Sequence, residues 1–354
     1  MKIFNLLSVI IIASFFTSCE NEIPFDIKEN SPKLIVNAMI DINVEDNYIF
    51  ISKTGKDSTT SVTDAMVNIY INDVQMEQIT EEFKPDESDS IHYFYYSNPS
   101  DKKYKTSLRF NPGDKVKIEV FADNNKYHAW AEDIIPRPLE IDKIDTLTFK
   151  KDYYTNIRLK TTFTDYPNER NFYRLVVVQK NALQLKATEE GVDIPSIYEE
   201  YEETKYMDTR QDPILNNGRV STDDDIFPQT ENLYAVFDDK QLNSTYTMTT
   251  SFIRPNEYDS YSMWANSIID RVSVEFKVHL LSITEIQYYY LKALNIVNDE
   301  SYDEYLSMPV VYPSNVEGGV GIVGFSSGTY KTFTIPDIIP DPTGGGYGGP
   351  YYPY

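Results

Sequence analysis

The chain has 354 residues, a formal net charge of −23 and a single cysteine. The charge excludes nucleic acid as a partner, because an acidic surface repels phosphate backbones and anionic headgroups alike. A lone cysteine excludes an intrachain disulfide, so stability has to come from packing, and the length suits two domains of ordinary size. The acidity also fits a solvated extracellular face. With 29 Tyr, 18 Phe and 2 Trp, the aromatic content fits β-structure, and equally carbohydrate- or peptide-facing surfaces.

Residues 1–18, MKIFNLLSVIIIASFFTS, predict a secretory signal: Lys2, an apolar run from Ile3 to Phe16, then Thr17 and Ser18. The run is shorter than the ~20 residues that span a bilayer comfortably. A cysteine directly behind it resembles a bacterial lipobox, in which the thiol is acylated and the chain is cut before Cys19. Phe15, Phe16 and Thr17 stand where a leucine is usual. The alternative is a soluble secreted protein with a free thiol. Acyl chains on Cys19 would supply the membrane contact, since several chains pass the two-signal threshold for stable anchoring. Residues 19–32 are polar, hold two prolines and read as a tether.

From Lys33 the pattern has period two. Leu34, Val36 and Ala38 alternate with other residues, as do Tyr48, Phe50 and Ser52, then Val67, Ile69 and Ile71, then Val116, Ile118 and Val120, then Tyr127, Ala129 and Ala131. Asn72-Asp73 and Asn111-Pro112-Gly113-Asp114 supply turns. The fold class is mainly β: an N-terminal Ig-like or transthyretin-like β-sandwich over 33–138, ending at Pro136-Arg137-Pro138, then a second β-rich domain with one packed helix.

The second domain spans 139–335. Its strands are expected at Ile144–Phe149, Ile157–Thr164, Phe172–Gln179, Tyr234–Phe237, Tyr246–Phe252, Val272–Leu281 and Thr329–Ile335. An acidic insertion, 186–226, reads as a long loop of the functional or disordered kind. A helix is expected over 285–298, with Thr284 and Gln287 as a capping box and Ile286, Tyr290, Ala293, Leu294 and Val297 as its apolar face on the second sheet. The tail, 336–354, is rich in Pro, Gly and Tyr and reads as disordered.

Two motifs match reactive signatures by spacing alone. Gly319-Val320-Gly321-Ile322-Val323-Gly324 has the dinucleotide fingerprint but lacks the helix that must follow it. It reads as a glycine-rich bend where backbone passes close to a neighbour. Gly324-Phe325-Ser326-Ser327-Gly328 has the nucleophile-elbow spacing, yet His92, His128 and His279 all precede Ser326, whereas α/β-hydrolases place the base after the serine. No zinc ligand set is visible. Asp223-Asp224-Asp225 lacks the spacing of a calcium loop. No catalytic residues, metal or cofactor are expected. The ligand-binding candidates are Tyr198, Glu199, Tyr201, Glu202 and Tyr206, where aromatic faces would stack on sugars or peptides and carboxylates would attract cations. The alternative there is a solvated acidic loop.

Several segments together resemble the DUF4249 family of Bacteroidota lipoproteins. They are the lipobox followed by Glu20 and Glu22, the strand from Pro32 to Ala38, the entry Val62-Thr63-Asp64-Ala65-Met66-Val67, the turn at Asn111–Asp114, the stretch Phe163–Arg174, and Pro313-Ser314-Asn315-Val316-Glu317-Gly318-Gly319-Val320-Gly321. The acids behind Cys19 are similar to a surface-export signal. The resemblance implies an outer-membrane lipoprotein at the cell surface. It also implies a TonB-dependent receptor as partner, with the chain as a ligand-capturing or lid-like accessory in nutrient uptake. A structural or adhesive envelope protein is the second expectation, and a surface hydrolase the third.

Overall fold

Alternation of apolar and polar side chains makes strands whose two faces differ, and here the alternation sets nearly every element. The computed structural model describes residues 31–56, 58–84, 98–151, 154–187, 191, 199–216, 231–242, 244–254, 267–299, 302–303 and 307–338. The signal segment, Cys19 with the tether up to residue 30, His92, Tyr198, Asp223–Asp225 and the tail beyond Ile338 lie outside the described residues.

The first strands are β1 (Leu34–Asp41), β2 (Asn47–Thr54), β3 (Thr59–Thr60), β4 (Ala65–Ile71), β5 (Val74–Ile79), β6 (Lys102–Thr106), β7 (Lys115–Ala122) and β8 (Tyr127–Ile134). Asn72 and Asp73 both take positive φ, 51° and 68°, which gives the tight turn whose twist matches the β4–β5 hairpin. Strands β5-β4-β7-β8 form one sheet. Its Val67, Ile69, Val116 and Ile118 meet Leu34, Val36, Ile49 and Ile51 in one core, each almost fully buried. Each such side chain contributes on the order of 1.5–3 kcal/mol by burial.

The later strands are β9 (Ile141–Lys151), β10 (Tyr154–Thr164), β11 (Phe172–Ala187), β12 (Glu199–Thr204), β13 (Val236–Asp238), β14 (Thr245–Ile253), β15 (Ser267–Ile283), β16 (Gly319–Val320) and β17 (Val323–Ile338). Strands β14-β10-β9 form a three-stranded sheet, and Leu159, Phe163, Met248 and Phe252 share a core with Val177, Phe276 and Val278 of β11 and β15. The mainly β reading holds, with a sandwich-like arrangement in both regions.

The two regions share a sheet. Strand β17 is antiparallel to β15 and then parallel to β1, pairing Ala38 with Val323 and Asp41 with Ser326. One ten-stranded sheet results, running β12-β11-β15-β17-β1-β2-β3 with β6, β13 and β16 attached. Val316, Val323 and Phe325 thereby enter the first core although they come last in the chain. The glycine-rich bend makes this possible. A Cβ at Gly319 would lie 2.5 Å from Leu34 O, and one at Gly321 would lie 2.2 Å from Val36 O. Ser326 is buried in the strand, donating to Ile40 O at 3.4 Å, and stands on no elbow.

Helix α1 (Glu285–Val297) lies on the outer face of the shared sheet. Its details differ from the expected pattern in two ways. The capping box does not form: the Thr284 hydroxyl makes no cap bond and accepts from Phe325 N at 3.2 Å instead. The buried residues are Gln287, Tyr288, Leu291, Ala293 and Asn295, while Ile286, Tyr290, Leu294 and Val297 are only partly covered. Tyr288 and Leu291 meet Phe172, Leu281 and Ile283. The acidic insertion differs too, because its start extends β11 and Glu199–Thr204 pairs with that strand. Among the described residues no helix is long and apolar enough to cross a membrane.

Candidate functional site

The outer face of β1 and β2 carries an apolar cleft. With Leu34, Val36, Ala38 and Ile40 turned to the core, period two sends Asn37, Met39 and Asp41 to the opposite face. Antiparallel pairing of Asn37 with Phe50 puts Phe50 and Tyr48 on that face as well. On the other side Met39 is level with Gly324 of β17. A Cβ at Gly324 would lie 3.0 Å from Gln287 Cβ and 3.2 Å from Thr284 Oγ1, so the missing side chain lets α1 approach the sheet. One helical turn beyond Gln287, Tyr290 then forms the wall. Ile322 and Val44 complete a cleft of about 400 Å³, within the range of ligand sites.

Polar groups hold this cleft in shape. Asn47 is buried, accepting from Asp41 N at 2.9 Å and donating to Asp41 O at 3.1 Å, which pins the β1–β2 turn. Asn37 Oδ1 accepts from Ile322 N at 3.1 Å. Asp46 accepts from Lys105 at 2.7 Å and from Ser107 at 2.8 Å. The Lys105 bond, with that from Ser107, holds its carboxyl below the ordinary range. Asp41 differs: among the described residues its Oδ1 accepts only from the backbone and side-chain nitrogens of Asn43, both at 2.9 Å. Tyr290 packs its ring 5.8 Å from that of Tyr312, and burial raises its phenol pKa.

A second cleft, about 590 Å³, lies between the end of β8, the loop before β11 and the start of α1. Its charges cancel in pairs: Arg137 with Glu169 at 3.2 Å and Arg170 with Glu285 at 2.8 Å. Asp133 remains, pushed up by burial. These pairs fasten neighbouring loops and leave little free charge for a ligand.

The candidates drawn from the acidic insertion are placed as follows. Glu199 and Tyr201 lie in β12. Glu202 is ion-paired with Lys277 at 2.9 Å, and its neighbour Glu200 with Lys180 at 3.0 Å. Tyr206 stands beyond the strand, 45% exposed. The strand brings Glu200 and Glu202 onto one face with their lysines. Met39, Asp41, Tyr48, Phe50 and Tyr290 escaped sequence reading. Their signal was the unbroken run Tyr48-Ile49-Phe50-Ile51, since apolar residues on both faces of a strand mean that both faces are covered.

Chemically, the described residues lining the cleft offer aromatic and aliphatic surface, amides and carboxylates, with no hydroxyl–histidine or thiol–histidine pair. Among the described residues no three His, Cys, Asp or Glu side chains gather as a metal site. His128 stacks on Phe121 at 4.5 Å and meets Glu119 at 3.1 Å, while His279 lies 5.3 Å from the Tyr330 ring. In comparison with known proteins, a family model described as "Domain of unknown function (DUF4249)" matches residues 20–332. No curated protein matches the chain.

Proposed function

The chain belongs to the DUF4249 family, and we propose that it is a lipid-anchored binding protein of the outer-membrane surface, the ligand-capturing or lid-like accessory of a TonB-dependent receptor in nutrient uptake. The observation that carries this reading is the cleft between β1, β2 and α1: preformed, mostly apolar, built on a sheet and lined by a few polar groups. Strand β1 begins at Leu34, directly after the proposed tether, and first lines the cleft at Asn37, three steps later, about 10 Å along at 3.3 Å per residue. Exposed apolar side chains support a partner: Met308 and Val311 are 87% and 85% exposed, and Tyr312 packs its ring 5.8 Å from Tyr290 of the cleft wall.

The anchor is Cys19, and the test has two parts. Affinity purification of the whole protein from outer membranes in mild detergent is expected to bring down a β-barrel receptor; its repeated absence removes the partner. Protease treatment of intact cells is expected to cleave the protein, and Cys19→Ser to release it from the membrane. Retention of that variant in the membrane fraction overturns the anchor.

A further inference from the structure

From the unequal state of its two carboxylates, we infer that the cleft between β1, β2 and α1 takes a positively charged group on a short apolar stem, an alkylammonium or guanidinium. The inference rests on reading this cleft as the ligand site and adds the ligand's chemistry.

Two acids line the cleft. Asp46 is occupied internally by Lys105 and Ser107, at 2.7 and 2.8 Å. Asp41 is not: its Oδ1 receives the two Asn43 bonds, and among the described residues no cation pairs with it. It is half-buried at the edge of a surface made by Met39, Tyr48, Phe50 and Tyr290. An anion beside aromatic rings is what a desolvated cation requires, because the carboxylate supplies charge and the ring faces supply a quadrupole. The stem of a lysine or arginine would lie on Met39 and the rings, as such stems do on apolar surfaces.

Three lysines or histidines nearby test the charge balance. Lys105 is committed to Asp46. Lys103 holds its ammonium 3.7 Å from the Tyr48 ring centroid, showing that this aromatic surface already tolerates a cation. It pairs in register with Phe50, two strands from β1 and several residues from Asp41. Strand spacing and rise put its backbone on the order of 15 Å from that of Asp41, and its ammonium is held over the Tyr48 and Phe50 rings. His279 is kept below its ordinary value by burial although Asp41 pulls the other way. Among the described residues Asp41 therefore has no paired cation, and a visiting cation is the group that matches it.

The test is titration calorimetry on the whole protein in detergent. The probes are acetyl-Gly-Lys-Gly-amide, the same peptide acetylated on the lysine Nε, and 1,5-diaminopentane. Saturable binding of the free-amine peptide, at least tenfold weaker for the acetylated one and weakened by salt, supports the inference. Diaminopentane binding equally well assigns the site to the amine itself, and its failure beside a binding peptide assigns it to a peptide side chain. Asp41→Asn keeps the acceptor for Asn43 and removes the charge, so it should cost tenfold or more, whereas Asp46→Asn should cost under threefold. Equal binding of the two peptides, or full binding in Asp41→Asn, overturns the cationic class. If that binding falls in Phe50→Ala, the cleft stands as a ligand site with a neutral occupant. No binding by any probe also overturns the class, while receptor co-purification separately decides the wider reading.

Discussion

The side-chain carbonyl of Asn37 accepts a hydrogen bond at 3.1 Å from the backbone amide of Ile322, 285 residues later in the chain. It ties the first strand to the bend that starts the last one. Backbone bonds from Ala38 N to Ile322 O at 2.8 Å and from Ile42 N to Ser326 O at 3.1 Å continue the same seam. Asn37→Ala leaves the Ile322 amide without its acceptor, which should cost about 1–3 kcal/mol. Asn37→Asp retains an acceptor and should recover most of the loss. Urea unfolding of both variants decides this; equal destabilisation by Ala and Asp would show that the bond contributes nothing.

Beside that bond sits Gly321, at φ +116°, where a Cβ would approach Val36 O to 2.2 Å and Asn37 Oδ1 to 2.8 Å. Strain and collision act together, so Gly321→Ala should lose about 3 kcal/mol or more. Gly113 separates the two effects. Its φ is +89° but nothing lies within 4 Å of a Cβ there, and Gly113→Ala should show the conformational cost alone, about 1–2 kcal/mol. Comparable losses in chemical denaturation would mean that the seam gives way around an added methyl group.

The strands were legible in the sequence wherever one face is buried and the other wet: Val116, Ile118 and Val120 alternate in β7 as their spacing requires. The join between β1 and β17 was not. A parallel neighbour so far along the chain leaves no local periodicity, and only the glycines that permit close approach hint at it. The cleft was hidden for the same reason, since Met39 and Gly324 share a face only after that pairing. Charge and tyrosines drew the reading toward Tyr198–Tyr206 instead, where Lys180 and Lys277 of the same sheet answer Glu200 and Glu202. Spacing alone could not tell an acid with a partner across the sheet from one such as Asp41.

The helix shows a further limit of pattern reading. Ile286, Tyr290, Ala293, Leu294 and Val297 fit an apolar stripe; Ala293 is buried, and Tyr290 and Leu294 pack at the margin of the sheet cluster, but its centre is met by Tyr288 and Leu291. Asn295 is used for its amide: it accepts from Tyr234 N at 3.1 Å and donates to Asn232 at 2.9 Å. Leu291 is 2% exposed, so Leu291→Ala should cost about 2–5 kcal/mol. Leu294→Ala, on the partly covered flank, should cost nearer 1 kcal/mol. Reversal of that order in thermal or urea unfolding would return the helix to the orientation its hydrophobicity alone suggests.

Asp212 gives the stability a pH dependence with a definite sign. It is 2% exposed and accepts from Thr249 N at 2.8 Å, Ile214 N at 3.0 Å and the Tyr246 hydroxyl at 3.1 Å. Burial pushes its carboxyl above the ordinary aspartate value of 3.8, against the lowering effect of those bonds. The folded chain therefore keeps this proton at a pH where the unfolded chain has released it. The resulting stability is fully present below the unfolded value and is lost as pH rises through the folded one. Asp212→Asn cannot ionise, and it sacrifices an acceptor for Thr249 N at a roughly constant cost of about 1–3 kcal/mol. Subtracting the variant's unfolding free energy from the wild-type value cancels the other titrating groups. That difference should decline from pH 4 upward and level off once the carboxyl is ionised in both states. A difference that rises with pH over this interval would mean that the hydrogen bonds outweigh burial and that Asp212 is held as a stabilised anion.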